Sequence, residues 1–258
     1  MAYRSPGLCI LMLMLNSMAF AAHPLITDDP GTQGTAKFQV EVNGETAIDE
    51  ETDATGSKTE TRESELAVTF AAGIAENVDV IIGIPYAAYE VTVDGTSIAK
   101  ESGLSDVAME LKWRFFDKEG FSLALKPGVS FATGDDEKGL GTGKTGYSMF
   151  AILSKESGPL TVLANAGYIR NENNADEEKN VMHASIAGLY KAADQLTIVV
   201  NMGGETNPDK AADKDPVFGL AGVIYGVTES IDADFGVKFG LNDVETDIAY
   251  MAGIALRF

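Results

Sequence analysis

From residue 36 to the carboxyl end, apolar and polar positions alternate with period two. In the last segment Ile248, Tyr250, Ala252, Ile254, Leu256 and Phe258 share one face, and Ala249, Met251, Gly253, Ala255 and Arg257 the other. Ile231, Ala233, Phe235, Val237, Phe239 and Leu241 alternate with Asp232, Asp234, Gly236, Lys238 and Gly240. Val107, Met109, Leu111, Trp113 and Phe115 alternate with Ala108, Glu110, Lys112, Arg114 and Phe116. This spacing predicts strands with one apolar and one polar face, since a helix needs apolar residues three and four apart. The predicted strands are 36–43, 63–74, 78–92, 106–116, 121–132, 147–154, 160–169, 181–190, 196–204, 217–227, 231–241 and 248–258. Segments 147–154 and 217–227 alternate poorly, so their facing stays open.

The connections alternate as well. Residues 75–77, 117–120, 155–159, 191–195 and 228–230 are short, whereas 44–62, 93–105, 133–146, 170–180, 205–216 and 242–247 are longer. In an up-and-down sheet all long loops then emerge at one end and all short turns at the other. That asymmetry marks a closed antiparallel transmembrane β-barrel, here of twelve strands over residues 36–258, with both termini at the periplasmic end. A soluble barrel has the same period, but two features favour the membrane. Aromatics fall into two sets, with Phe38, Trp113, Phe115, Phe121, Tyr190, Tyr225 and Phe258 near the short turns. Tyr86, Phe131, Tyr147, Tyr168, Phe239 and Tyr250 lie near the long loops, as two interfacial belts would. The carboxyl end, with its final Phe258, resembles the terminal strand of outer-membrane barrels, which implies that Phe258 is the signal for the barrel-assembly machinery. Val237, mid-strand, is expected to face lipid. A twelve-strand ring tilted roughly 40° has a backbone diameter of about 24 Å and a lumen on the order of 10 Å.

Residues 23–34 read His23-Pro24-Leu25-Ile26-Thr27-Asp28-Asp29-Pro30-Gly31-Thr32-Gln33-Gly34, followed by Lys37-Phe38-Gln39-Val40-Glu41. This opening resembles that of the MetA-pathway of phenol degradation family of outer-membrane barrels. The resemblance implies a transporter-like barrel for hydrophobic or aromatic compounds; it transfers no catalytic or binding residue. Rich in Pro, Gly, Thr and Asp, residues 22–35 are not expected to be strand. Three readings of this leader stand: a plug in the lumen, a strap across the periplasmic mouth, and a disordered linker. As a plug, Asp28 and Asp29 are expected to dock on basic side chains at the periplasmic rim, Arg114 and Arg257 being nearest by strand position, with His23 part of the leader motif.

The first 21 residues have the form of a signal peptide: Arg4, the apolar run Leu8–Leu15, and Ala19-Phe20-Ala21 before the expected mature start at Ala22. Its removal takes away Cys9, the one cysteine. The run is too short to span a bilayer core of about 30 Å. With 39 acidic against 19 basic residues, a net charge of −20 argues against nucleic acid as partner. The long loops carry 22 of the acidic residues, which serve solvation or bind cations bridging to lipopolysaccharide.

The polar faces place Gln39, Glu41, Glu65, Asp79, Glu110, Lys112, Arg114, Lys126, Asn165, His183, Asn201, Asp232, Asp234, Lys238 and Arg257 in the lumen. Glu110, Lys112, Arg114, Lys126, Asp232, Asp234, Lys238 and Arg257 form either a charged constriction along a solute path or a paired network that fills the barrel. His183 and Ser185 lie two apart on one face, about 6.5–7 Å by strand geometry, too far for a nucleophile's hydrogen bond. Gly139, Gly141, Gly143 and Lys144 lack the full phosphate-loop spacing. No enzyme, cofactor or metal is expected. The expectation is a passive outer-membrane channel for small hydrophobic solutes, set among lipid and lipopolysaccharide, with its oligomeric state open. The alternatives are a non-conducting structural or adhesive barrel and a lipid-modifying enzyme.

Overall fold

The computed structural model of the protein describes residues 23–258. The expected signal peptide, residues 1–21, lies outside them. Thirteen strands form one antiparallel sheet: β1 Phe38–Thr52, β2 Lys58–Ala75, β3 Val78–Val93, β4 Thr96–Leu104, β5 Val107–Lys118, β6 Phe121–Phe131, β7 Gly146–Ser157, β8 Leu160–Arg170, β9 Asn180–Ala193, β10 Leu196–Glu205, β11 Val217–Thr228, β12 Ile231–Gly240 and β13 Ile248–Arg257. β1 pairs with both β2 and β13, and β2 with β3, which closes the ring. β4 and β5 follow one another down β3: Thr96–Leu104 pairs with its outer half and Ala108–Trp113 with its inner half. They share one place in the wall, so the barrel has twelve positions.

The turns at one end are two residues long, at 76–77, 119–120, 158–159, 194–195 and 229–230. Glu119 and Gly120 both have positive φ, the geometry of a tight hairpin. At the other end two expected loops are corrected. Residues 44–52 and 58–62 continue β1 and β2 upward, leaving only 53–57 as loop, and 93–105 is a hairpin turning at Asp94-Gly95 with β4 as its return strand. Beyond the membrane both faces of a strand meet water, so the alternation that identifies it fades. The remaining loops, 132–145, 171–179, 206–216 and 241–247, are longer than the turns opposite.

The outward face is apolar around the ring: Val42, Val68, Ile84, Met109, Val200, Phe235 and Ile254 are exposed, while inward Glu41, Asp79, Glu110, Lys112, Lys126, Asn165 and Lys238 are buried. Val237 points outward with them, between Phe235 and Phe239. An apolar exterior on a closed sheet is what a bilayer requires. Phe38 stacks on Phe70 and lies beside Phe258 at the short-turn end, where Trp113 also meets Phe115. Phe116 departs from its expected inward face. The register between β5 and β6 slips between Arg114 and Phe116, and the bulge turns Phe115 and Phe116 both outward.

The two poorly alternating segments have an internal cause. Phe150 and Ile152 of β7, and Phe218 and Leu220 of β11, point inward and are buried. On β11 the inner face is apolar because it receives Leu25 of the leader, and on β7 Phe150 and Ile152 pack against Ala124 and Ile169 of the wall itself.

Candidate functional site

Residues 23–35 run inside the barrel. Leu25 is buried against Leu163, Ala187, Val199, Phe218, Leu220 and Met251, drawn from β8, β9, β10, β11 and β13. Burying one leucine side chain contributes about 1.5–3 kcal/mol. The leader's backbone groups, which no strand satisfies, are met by wall amides. Asn201 Oδ1 accepts from the amides of Ile26 and Thr27 at 2.7 and 3.0 Å, and Asn201 Nδ2 donates to Thr27 Oγ1 at 2.7 Å. The Asn165 amide, oriented to suit its partners, donates to the Asp28 carbonyl at 3.0 Å and accepts from its N–H at 2.6 Å. Lower down, Gln33 N–H donates to Asp79 at 2.9 Å and Thr32 Oγ1 to the Glu76 carbonyl at 3.0 Å.

At the centre lies a charge cluster. Lys112 Nζ donates to Asp28 Oδ1 at 2.8 Å and to the Asp29 carbonyl at 3.0 Å. Lys126 Nζ sits 2.8 Å from Asp28 Oδ2 and 3.2 Å from Glu110 Oε1, with the Phe150 ring 5.6 Å away. Asp28 and Lys126 are fully buried. The cluster sets two lysine ammonium groups against the carboxyl groups of Asp28 and Glu110, so the leader brings the charge that offsets the wall lysines. A lone charge in such a place would be costly.

This corrects the expected docking. Asp28 reaches past the rim to Lys112 and Lys126, and Asp29 instead caps its own turn, accepting from Gly31 N–H at 2.6 Å. Arg114 pairs with Asp117 at 3.5 Å, and Arg257 with Asp232 at 2.6 Å. His23 Nδ1 lies 2.5 Å from Asp234 Oδ1. Lys238 stands apart from the leader, 3.3 Å from Glu245 and 3.8 Å from Glu45. The eight expected lumen residues therefore divide into a leader clamp, a rim pair at each of Arg114 and Arg257, the His23–Asp234 link and a separate lysine cluster. Phe258 ends the wall at the short-turn rim, its N–H donating to the Phe38 carbonyl at 3.0 Å.

Glycines make room for the leader. A Cβ on Gly236 would lie 2.7 Å from Pro24 Cβ, and one on Gly222 would lie 2.8 Å from Pro24 Cγ. Gly236→Val suits a strand by propensity but collides with Pro24. The expected result is a folded barrel with faster amide exchange at residues 25–28; unchanged protection there would show that the Pro24 seat is dispensable.

A cavity of about 610 Å³ lies beside the leader at the short-turn end, with Glu41, Asp79, Lys112, Asp234 and Arg257 in its wall. A smaller one of about 70 Å³ lies on the far side of the cluster, reaching from Glu110 to Thr142. Above it loop 132–145 folds inward. Asp106 accepts from the N–H groups of Thr133, Gly134 and Thr142 and from Thr142 Oγ1, and Leu140 is buried against Ala87, Tyr89 and Val91. Lys144 Nζ donates to the Asn173 carbonyl at 3.1 Å, so this glycine-rich stretch is an inner lid rather than a phosphate cradle. In the next loop, burial raises the Glu177 carboxyl to about 7.

His183 and Ser185 are also corrected. Their side chains converge from the two positions, and Nε2 lies 3.0 Å from Ser185 Oγ, with Glu205 Oε2 3.5 Å from Nδ1. Strand spacing sets only the Cα separation, which the imidazole spans. Ser185 is packed so closely that a Cβ on Gly203 would lie 2.6 Å from its Cβ and 2.8 Å from the Phe218 ring. The trio is a buried hydrogen-bond chain across β9 and β10.

The barrel is similar to a crystal structure of an outer membrane channel from Pseudomonas putida F1, at 13% identity and a TM-score of 0.66, over 89% of this chain and 99% of that one. It is also similar to the KdgM porin (8% identity, TM-score 0.57, 85% and 99% covered) and to the NanC porin (13% identity, TM-score 0.54, 84% and 98% covered). At such identities the likeness shows a shared fold. A comparison with curated proteins finds no match. Residues 24–258, the leader and the whole barrel, match the model of the family described as "Putative MetA-pathway of phenol degradation", and the chain belongs to that family.

Proposed function

We propose that the protein is a channel of a bacterial outer membrane, exported through a cleaved signal peptide, that passes small aromatic or otherwise hydrophobic solutes around its own leader. The observation that carries this reading is the seated leader: an apolar-coated barrel encloses a cavity whose way onward is occupied by a segment held only through noncovalent contacts. Such a segment can shift or be skirted, whereas a barrel meant only as a wall needs none. The solute path runs from the short-turn cavity past Lys112, Lys126 and Glu110. Asp232, Asp234 and Arg257 line its entrance. The channel and porin folds support the transport role, and the family's link to phenol degradation supports the aromatic cargo. Phe258 is the assembly signal in this reading, and lipopolysaccharide surrounds the acidic outer loops.

Planar-bilayer recordings test it. The mature protein is expected to show small conductance steps, and a variant lacking residues 23–34 several-fold larger ones. If neither conducts while both are folded, the competing reading holds, a structural barrel filled by its own charge network.

A further inference from the structure

We propose that the cavity at the short-turn end binds a small organic ammonium ion, its charged head on Glu41 and its apolar body along the neighbouring wall. The proposal rests on the channel reading for its biological role, because it names the class of solute that enters there. The site itself is defined by the groups around it.

Glu41, on the inner face of β1, is 6% exposed. It accepts from the Gln39 and Asn43 side-chain amides, both neutral donors. The cations of the cavity wall have other partners: the buried Lys112 pairs with Asp28, the exposed Arg257 with Asp232 and the Gln39 amide oxygen, and His23 lies against Asp234. Lys37 stands exposed at the mouth. Glu41 is thus a buried carboxyl group whose direct partners are amides alone, so a cation that reaches it supplies the charge partner it lacks at contact distance.

Two further groups on this wall are buried and, among the described residues, without a hydrogen-bond partner: Asn43 Oδ1 and Thr69 Oγ1. Thr69 is 2% exposed and is the cross-strand neighbour of Glu41 on β2. Asn43 Oδ1 leans over Gly253, where a Cβ would lie 2.4 Å from it and 2.7 Å from both Asp234 Oδ2 and His23 Nδ1, the pair that closes this side of the seat. The seat therefore presents acceptor oxygens from Glu41, Asn43, Thr69 and Asp234. A primary ammonium, with three donors and one positive charge, matches such a set, and charge-assisted hydrogen bonds are the strong ones. Among the described residues no group of three or more His, Cys, Asp or Glu side chains is placed to hold a metal ion. Ala71, Ile81 and Ile224 supply an apolar flank, and about 610 Å³ is a volume typical of small-ligand pockets. Deeper in, an anion would meet Glu41 and Asp79, and the buried Lys112 of that wall is already held by Asp28.

The experiment uses the mature protein in detergent micelles at fixed potassium chloride, titrated calorimetrically with benzylammonium, benzyl alcohol and benzoate. Benzylammonium is expected to bind about tenfold or more tightly than benzyl alcohol, and benzoate to bind most weakly. Glu41→Gln is expected to lower benzylammonium affinity about tenfold and leave benzyl alcohol unchanged; Thr69→Val is expected to give a smaller loss. Equal binding of ammonium and alcohol overturns the proposal, as does undiminished ammonium binding by a folded Glu41→Gln protein. If Glu41→Gln does not fold, the comparison of the three probes on the unmodified protein and on Thr69→Val decides. Bilayer recordings on the same preparation separate the two readings. Selective binding without conductance leaves the site and removes the channel, whereas conductance without selective binding removes the site and leaves the channel.

Discussion

Asp28→Ala is expected to destabilise the protein by about 3–5 kcal/mol, or to expel the leader from the lumen. Breaking a buried ion pair by removing one partner strands the other charge. Here one carboxylate serves two ammonium groups, Lys112 and Lys126, both at 2.8 Å and both buried. Without it the cluster holds two positive charges and only Glu110 to offset them. The wall cannot move the lysines out, since they project from hydrogen-bonded strands, so water must enter or the leader must leave. The double variant Asp28→Asn/Lys112→Met is expected to recover most of the loss. It restores balance, with Lys126 facing Glu110 at 3.2 Å. Limited proteolysis of residues 23–34 and urea unfolding in detergent report the two routes. A cost below about 1 kcal/mol with the leader still protected would mean that the cluster is hydrated and behaves like a surface pair.

That clamp was half legible in the sequence. Period-two alternation placed Glu110, Lys112 and Lys126 inside because a membrane strand must divide its residues between lipid and lumen. Adjacent carboxylates in a leader before a lumen that carries lysines and arginines suggested docking. The depth was not legible. Asp28 lies ten residues before β1, enough chain to reach well past the rim at up to about 3.3–3.6 Å per residue, and strand position ranks the lysines and arginines by height without saying how far the leader climbs. The wall amides Asn165 and Asn201 were visible as inward polar residues, but their task, satisfying the leader's backbone, appears only once the leader is in place. Leu25 explains why β11 alternates poorly: its inner face must be apolar to receive that side chain. The β3–β4 hairpin did carry a signal, Asp94-Gly95 between β-prone residues, with both at positive φ. It was masked by the polar composition of residues 96–103. The His183–Ser185 contact shows the same limit, since residue spacing gives Cα separations while chemistry depends on where side chains meet.

Val200→Arg tests the outward face. Val200 lies mid-strand in β10, 55% exposed, between Gly188 of β9 and Ala221 of β11. If the apolar band around it faces hydrocarbon, arginine there is expected to cost about 2–4 kcal/mol, the penalty of placing a guanidinium near the bilayer midplane of a barrel. Met182→Arg offers the depth control. Met182 is 60% exposed on the same outer surface but stands near the start of β9, beside the outer loops and Tyr168. There the expected cost is about 0–1 kcal/mol, because the side chain can reach the headgroup region. The measurement is reversible unfolding of both variants in phospholipid vesicles. A membrane barrel gives a gradient, large at Val200 and small at Met182. Two small, equal costs would mean that the outer face meets water, and the exposed ring of Val, Ile, Leu and Met side chains would then need a protein partner to cover it.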